Sequence, residues 1–307
     1  MTAPTKAAAA IEDPPLTLTD ADLPELHHSG DAISLANQRR FVRSTAAQLV
    51  LLVVAAGAAA LEIRGDAPKG ATIVAAAAFL GAALLKVQIL ATQPERAWYE
   101  GRAVAESAKT LAWRFAVGGE PFPIRRGGER TAKELFLLRL REIGKSIDLP
   151  LVSGTSRLEQ ITDGMERLRA QPLAARRTAY ETGRLRDQLE WYTRKAVWNE
   201  RRGRLWNGGM LALMVVGGLL ALITLTSGIN LDVVDAVAAS VGAIGAWIAT
   251  KQHQTLASAY SVTARELADI LSLAEAKPRT EADWASFVSQ AEEAVSREHS
   301  LWASRGK

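Results

Sequence analysis

Apolar and charged stretches alternate along this chain, and four of the apolar stretches approach the length of about 20 residues that a helix needs to cross a bilayer. The clearest pair lies in the second half, where uncharged runs cover residues 208–226 and, apart from two aspartates near its start, 231–250. Only residues 227–230 separate these runs, which is enough chain for an antiparallel hairpin and nothing longer. Both ends of this pair are therefore predicted to lie on the same side of a membrane.

A pair with the same layout lies near the N-terminus. Its apolar runs cover residues 44–61 and 71–91, with a polar break at 62–70. Asn37-Gln38-Arg39-Arg40 precedes this pair much as Asn199-Glu200-Arg201-Arg202 precedes the other. The layout predicts two two-helix transmembrane hairpins, with spans at about 44–61, 71–91, 207–227 and 231–250. Sequence identity between the pairs is slight, so common descent and convergence both account for the resemblance.

Helical periodicity continues outside the spans, and no strand pattern of any length interrupts it. Helices are predicted at 94–115, 129–147 and 252–276, from Pro172 into the third span, and after a Thr280 cap. The predicted fold class is an all-α membrane protein, with two two-helix transmembrane hairpins and long cytosolic helical extensions. Its parts are a disordered acidic tail at 1–36, a first two-transmembrane module at 37–147 and a second at 148–307.

Basic residues crowd at one end of each span. They are Arg39, Arg40 and Arg43 before the first span, Lys86 and Arg96 at the second, Arg201, Arg202 and Arg204 before the third, and Lys251 after the fourth. The positive-inside rule then predicts that both termini face the cytoplasm, in the inner membrane of a bacterium. This distribution accounts for the net charge of +4, so the bilayer is the expected partner and nucleic acid is not.

The residue inventory limits the chemistry available. The chain has no cysteine, which excludes disulfides, thiolate nucleophiles and iron–sulfur ligation. Two of its four histidines, His27 and His28, fall in the predicted solvated tail. Ser296 and His299 are neighbours on one helix, but they lack an orienting third group and a glycine-rich oxyanion loop. We therefore expect no enzyme activity, no metal and no cofactor.

Small and polar residues in the spans suggest packing faces and pore walls. The predicted helix-packing positions are Ala238, Gly242 and Ala246 on the fourth span, with Gly217 and Ala221 on the third. Packing within one hairpin and packing between copies both explain them. If the spans line a pore, Thr224, Ser240 and Gln48 are the candidates for its wall. A coupled transporter is not predicted, because no charged residue lies near mid-membrane.

Aromatic and charged residues cluster on the helices that flank the spans. They are Trp98, Tyr99, Arg102, Glu106, Lys109, Trp113, Trp191, Tyr192 and Lys195. The first explanation is helix–helix packing outside the membrane, with Arg102 and Glu106 forming an i, i+4 ion pair. The alternative is a ligand pocket, because a basic and aromatic pocket suits an anionic nucleotide.

Several of these residues also carry a resemblance to a known family. Trp98-Tyr99, Ala105-Glu106-Ser107, Asp187-Gln188 followed by Trp191-Tyr192, and Ser296-Arg297-Glu298-His299 followed by Trp302 resemble the SLATT families. Those families are two-transmembrane effector domains associated with nucleotide-signalling bacterial conflict systems. The chain resembles a tandem of two such modules, over most of its length after about residue 35.

The resemblance implies a homo-oligomeric pore-forming or membrane-disrupting effector of antiphage defence, gated through its cytosolic helices. Its trigger would come from outside, as a nucleotide second messenger or a partner sensor protein, because neither a nucleotide-synthesising nor a nucleotide-sensing domain is recognisable in the chain. The competing hypothesis is a non-conducting membrane scaffold that docks a cytosolic partner.

Overall fold

Helices account for the ordered secondary structure throughout the described residues of the computed structural model, which are 16–62, 70–145, 159–227, 233–276 and 280–303. After a 3₁₀ turn at Asp20–Asp22 come α1 (Glu25–Glu62), α2 (Gly70–Thr92), α3 (Pro94–Val117), α4 (Glu129–Lys145), α5 (Asp163–Arg169), α6 (Leu173–Tyr180), a π-helical segment (Glu181–Arg186), α7 (Asp187–Ser227), α8 (Val233–Lys251), α9 (His253–Ala276) and α10 (Glu281–Ala303). The predicted all-α class is confirmed. Most of the two predicted inter-span turns lies outside the described residues.

Four helices are long and apolar enough to cross a membrane, and they contain the four predicted spans. α1 and α7 are continuous rods of 38 and 41 residues, each combining a span with a polar extension. α2 and α8 are shorter, and each is followed by a separate polar helix, α3 or α9. The protein is therefore an all-α membrane protein, with polar helical segments attached to its spans.

The four spans form a row in the order α2, α1, α8, α7. α1 packs on both α2 and α8, and α8 packs on both α1 and α7. Burial follows this order. α2 buries one narrow stripe, Ala75, Ala78 and Ala82, and is exposed elsewhere over most of its surface. α7 likewise has a single partly covered stripe in its span, so α2 and α7 are the outer helices of this span row.

Small residues set the spacing within each pair of spans. A Cβ on Gly217 of α7 would lie 3.0 Å from Val237 Cγ1 of α8, and one on Gly81 of α2 would lie 3.3 Å from Leu51 Cδ1 of α1. When Asn37 is aligned with Asn199 and Gln93 with Gln252, the first-pair positions equivalent to Gly217 and Val237 are Ala55 and Ala78. Both are buried. Small residues thus lie between the two helices of each pair, where they allow a close approach in lipid.

The parts of the chain beyond the spans form what we call the extramembrane bundle: α3–α6, the π-helical segment, α9, α10 and the polar ends of α1 and α7. Its core is one cluster of buried residues that includes Trp113, Phe115, Phe136, Tyr180 and Trp284. Residues from α3 and α4, which follow the first pair of spans, meet residues from α6 and α10, which flank the second pair. Both parts of the chain therefore contribute to the same core. Burial of large aromatic side chains is a major source of folding free energy.

The prediction of a disordered tail to residue 36 is wrong for the described part, residues 16–36, in which Leu18 and Leu23 already belong to the buried core. α1 begins at Glu25, one residue after Pro24, and packs along α3. Gly30 and Gly101 permit this contact, because a Cβ on Gly30 would lie 2.9 Å from Gly101 O and from Ala105 N. His27, predicted to be solvated, is buried with Nδ1 2.8 Å from Ala105 O. Tertiary packing orders a segment that looks polar in isolation.

One residue with a positive φ interrupts the helix between each second span and the helix that follows it. Gln93, between α2 and α3, and Gln252, between α8 and α9, have φ values of 41° and 47°. These are the positive-φ residues other than glycine in the described part of the chain, and that region is uncommon for such residues. The same interruption at equivalent places reinforces the internal repeat, with Pro94 and His253 as the next residues.

Candidate functional site

The predicted pore-wall residues lie on the spans. The hydroxyl groups of Thr224 and Ser240 each donate a hydrogen bond to a backbone carbonyl of their own helix. Thr224 Oγ1 donates to Leu220 O at 3.0 Å, and Ser240 Oγ donates to Ala236 O at 2.8 Å. Thr224 lies on the stripe of α7 that faces α8, and Gln48 is half-buried on α1. The three residues belong to three different spans: Gln48 to α1, Thr224 to α7 and Ser240 to α8. Their role in a pore stays a prediction about an assembly.

The predicted packing residues divide into two groups. Gly217 contacts α8, as described above, whereas Ala221, one turn further along α7, is exposed. Ala238, Gly242 and Ala246 form the exposed stripe of α8, and a Cβ on Gly242 would meet no other atom within 4 Å. Packing within one chain therefore explains Gly217 and leaves the α8 stripe without a partner in the monomer.

The aromatic residues of α3 serve mainly in packing. Trp113 is buried, with its ring centroid 5.9 Å from that of Tyr180. Nearer the span, Trp98 and Tyr99 stack at 4.8 Å, and Trp98 lies 6.4 Å from Phe41 of α1. The predicted ion pair is confirmed, with Arg102 Nη2 at 3.1 Å from Glu106 Oε1.

Among the polar residues of α3 named above, Lys109 has a shifted pKa. Its side chain is half-buried in the polar helix α3. Burial lowers the pKa of Lys109, and the nearby Arg184 guanidinium lowers it further, while Glu106 and Asp187 oppose the shift. Lys109 therefore lies beside the most deeply buried charges of the bundle, described next.

The aromatic residues of α7 form a second group with α9. Tyr192 is buried, and its ring lies 5.6 Å from that of Tyr260, which also lies 5.5 Å from Trp191. Lys195 Nζ lies 5.8 Å and 5.6 Å from the rings of Trp191 and Trp198. Lys195 thus covers aromatic rings of its own helix, and its described contacts do not include Arg102 or Lys109. Ligand binding by the two groups stays a prediction.

The last candidates, Glu298, His299 and Trp302, lie on α10, but their side chains fall outside the described residues. Among the residues that are described, His, Asp and Glu side chains form no group of three or more that could hold a metal ion.

A fully buried ion pair, which the sequence analysis did not identify, joins the π-helical segment to α10. Arg184 in the π-helical segment and Glu292 in α10 have side chains that are 0% exposed. Arg184 Nε donates to Glu292 Oε1 at 2.9 Å, and Nη2 donates to Oε2 at 2.8 Å. Two parallel bonds of this kind are the strong, bidentate form of an arginine–carboxylate contact.

Two neutral groups complete the contacts of this carboxylate. Thr110 Oγ1 of α3 donates to Glu292 Oε2 at 2.9 Å, and the Tyr180 hydroxyl donates to Oε1 at 3.0 Å. Burial alone would raise the pKa of Glu292, but the Arg184 charge and these hydrogen bonds together hold it below its ordinary value. Glu292 is therefore ionised, and its charge ties α10 to α3 and to the chain entering α7.

Two further arginines form hydrogen bonds and an ion pair with α10 and with the C-terminal end of α3. Arg176 Nη1 donates to Val117 O at 2.6 Å, and Arg176 also pairs with Glu281 at the start of α10. Trp284 Nε1 donates to the same carbonyl at 2.8 Å. Arg114 Nη2 of α3 donates to Ser289 O at 3.1 Å. α10 is thus fixed to α3 at several points along its length.

A cleft of about 430 Å³ opens beside these contacts, between α4, α5 and the start of α10. Its charged lining residues are Lys133, Arg169 and Arg176 with Glu129, Glu166 and Glu281. The three positive charges are matched by three negative ones, and each arginine is already paired with a glutamate. The cleft therefore offers no surplus positive charge to an anionic ligand.

The sequence does contain a signal for this network. Arg176, Tyr180 and Arg184 are spaced i, i+4, i+8, as are Trp284, Val288 and Glu292. Residues with these spacings share one helix face, so each charged residue lies on a face that also carries large apolar or aromatic side chains. A charge within an apolar stripe is a sign of burial with a partner.

The chain matches two family models that lie end to end. Residues 24–177 match SMODS and SLOG-associating 2TM effector domain 3, and residues 180–302 match SMODS and SLOG-associating 2TM effector domain 1. The two models meet between residues 177 and 180, in the arginine-rich segment that enters α7, whereas hydropathy suggested a boundary at 147. No curated protein and no solved structure matches the chain. The matched models together cover most of the chain, so it belongs to the SLATT family, as a tandem of two two-transmembrane effector domains.

Proposed function

We propose that this protein is a pore-forming or membrane-disrupting effector of a bacterial nucleotide-signalling conflict system, acting as a homo-oligomer in the inner membrane. Membership of a family of two-transmembrane effector domains supports a role in the membrane. The main observation behind the proposed pore is that the four spans form an open row, which can enclose a lumen when several copies assemble. The outer helices of this row, α2 and α7, do not pack along each other in the described parts of the chain, so a single copy encloses no lumen.

Gating through the extramembrane bundle is the second part of the proposal. α3 follows α2 directly, and α7 is one rod from the bundle into its span. The Arg184–Glu292 pair and its hydrogen bonds join these elements to α10. A movement of α10 or α3 therefore reaches α7 through the buried pair, and the continuous α7 helix transmits it to the span. A nucleotide second messenger or a partner sensor protein, bound to the bundle on the cytoplasmic side, is the proposed trigger.

A non-conducting scaffold is the second candidate, and one surface feature favours it. Leu137 and Leu138 of α4 are exposed beside a cleft of about 850 Å³ that also includes Leu26 and Leu140. An exposed apolar surface of this kind suits a protein partner. The scaffold predicts docking without any change in membrane permeability, which separates it from the pore.

Membrane potential in growing bacteria distinguishes these functions. We expect controlled induction of the full chain to depolarise the cells, as reported by a voltage-sensitive dye. A variant lacking residues 205–251, which removes α7 and α8 from the row, is the control and should leave the potential unchanged. Membrane insertion of both proteins is verified by fractionation.

The experiment is repeated with the neighbouring genes present, because a closed pore needs its trigger. Depolarisation only with those genes supports gating. An unchanged potential in both settings, with the full chain inserted, would contradict the pore and favour the scaffold.

A further inference from the structure

The two modules contact each other in the membrane through two different surfaces, one on each module. Each module has a first span, α1 or α7, and a second span, α2 or α8. The contact between modules joins unlike spans, because α1 of the first module packs on α8 of the second. A contact between unlike surfaces leaves one copy of each surface unused at the two ends of the row. Such heterologous contacts continue from copy to copy and close into rings when the rotation permits.

The internal repeat identifies which residues form these unused surfaces. Asn37, before the first span of module one, aligns with Asn199, before the first span of module two. Gln93 and Gln252, directly after the helices of the second spans, align in the same way. Helical periodicity places Leu49, Val53, Ala56 and Ala60 of α1 opposite its α2-facing residues, on the side toward α8. All four are partly or fully buried. Their counterparts in α7 are Leu211, Val215, Gly218 and Leu222, and all four are exposed.

The other unused surface lies on α2. The residues of α8 that face α1 include Ala236, Ala239 and Ala243, which are partly buried. Their counterparts in α2 are Ala77, Leu80 and Leu84, which are exposed. One turn earlier, Ile73 extends the same face. This exposed face of α2 thus corresponds to the α8 surface that already receives a first span within the chain.

The exposed face of α7 with Val215 is called the α7 edge, and the exposed face of α2 with Leu80 is called the α2 edge. We propose that the α7 edge of one copy packs against the α2 edge of the next, which repeats the α1–α8 contact between chains. The occupant is a second copy of this chain, and the observed contact between modules is the template. The copies then form a ring whose wall is a continuous row of spans. This inference deepens the proposed function, because it names the surfaces that enclose the lumen of the proposed pore.

The repeat also sets the depth at which the two edges meet. Gly217 of α7 packs on Val237, and the counterpart of Val237 in α2 is Ala78, so Gly217 and Ala78 lie at one depth. α7 and α2 run in opposite directions, as α1 and α8 do. Val215 of one copy is therefore expected beside Leu80 of the next.

Cysteine cross-linking tests this pairing in membranes, since the chain has no native cysteine. The variant L80C/V215C is treated with a short bismaleimide after membrane insertion. Each copy then has one thiol on each edge, so we expect a ladder of covalent oligomers that ends at the size of the ring. The single variants L80C and V215C, expressed separately, should stay monomeric, because unlike edges meet.

The matched control is L80C/V50C. Val50 is 61% exposed and Val215 is 55% exposed, but Val50 lies on the open face of α1, away from the proposed edge. A ladder from L80C/V215C and none from L80C/V50C supports the proposal. Dimers from L80C alone would show that like edges meet and would overturn it, as would the absence of any intermolecular product.

The assay is independent of conduction, so the two proposals fail separately. A ladder of cross-linked oligomers without depolarisation would support the interface and contradict the pore. Depolarisation without cross-linked oligomers would support the pore and contradict this interface.

Discussion

Replacing Glu292 with alanine is expected to unfold the extramembrane bundle under conditions in which the unchanged protein remains folded. The substitution leaves the Arg184 guanidinium fully buried without its carboxylate. It also removes the hydrogen-bond acceptor of Thr110 and of Tyr180. Breaking a buried ion pair by removing one partner costs about 3–5 kcal/mol. That is a large part of the roughly 5–15 kcal/mol by which proteins are stable.

Thermal unfolding of the detergent-purified protein, followed by tryptophan fluorescence, measures the effect of E292A as a fall in Tm of about 10 °C. The matched control is E134A, which removes the partner of Arg130 in an exposed i, i+4 pair. Exposed pairs contribute about 0–1 kcal/mol, so E134A should leave Tm nearly unchanged. Equal Tm values for E292A and E134A would contradict the assigned role of the buried pair.

The pair also predicts a pH dependence with a definite sign. The pKa of Glu292 in the folded protein is held below its ordinary value near 4.5. Its contribution to stability is therefore fully present above that ordinary value and is lost as pH falls through the lower folded value. The double variant R184M/E292L removes both charges and should recover most of the stability lost in E292A. It should also lose this acid sensitivity.

The second large effect is expected at the crossing of α1 and α3. The variant G30L places a side chain where a Cβ alone would lie 2.9 Å from two backbone atoms, Gly101 O and Ala105 N. Backbone atoms of a packed helix cannot turn aside as a flexible side chain can, so the helices must separate. Overpacking of this kind costs about 1–3 kcal/mol, and we expect the upper end of that range.

The control for G30L is G57L on the same helix, where a Cβ would meet no other atom within 4 Å. We expect G57L to change the free energy of unfolding by no more than about 0.5 kcal/mol. Limited proteolysis at the N-terminus provides a second measurement, since G30L should release the first turns of α1. Protection equal to that of G57L would show that the close approach of Gly30 to Gly101 does not order this segment.

The spans could be predicted from sequence because the membrane imposes a simple requirement of length and apolarity on each of them. The boundaries of α3 were predictable for a local reason, since Pro94 occupies its first turn and Gly118 ends it with a φ of 78°. The cap at Thr280 was predictable for the same kind of reason, and its hydroxyl oxygen accepts from Asp283 N at 3.2 Å.

The order of the row and the buried network were not predicted, because both depend on which faces of distant helices meet. Nothing local to Glu292 distinguishes it from its exposed neighbour Glu293, except its place on the stripe of Trp284 and Val288. The early helix at Glu25 was missed because its ordering comes from α3, far along the chain. The candidate pocket residues were correctly placed on helices, but Trp113 and Tyr192 are committed to the core.

The central claim is that the protein makes a membrane permeable to ions, and ion flux from vesicles tests it most directly. The purified full chain is reconstituted into liposomes that hold a fluorescent reporter of potassium or proton flux. Ring-sized assemblies are fixed by cross-linking L80C/V215C, and the cross-linked and uncross-linked proteins are each compared with and without a cell extract that contains the trigger. The account predicts flux that rises with the fraction of ring-sized assemblies. Intact, correctly inserted ring-sized assemblies that carry no flux under any of these conditions would contradict it.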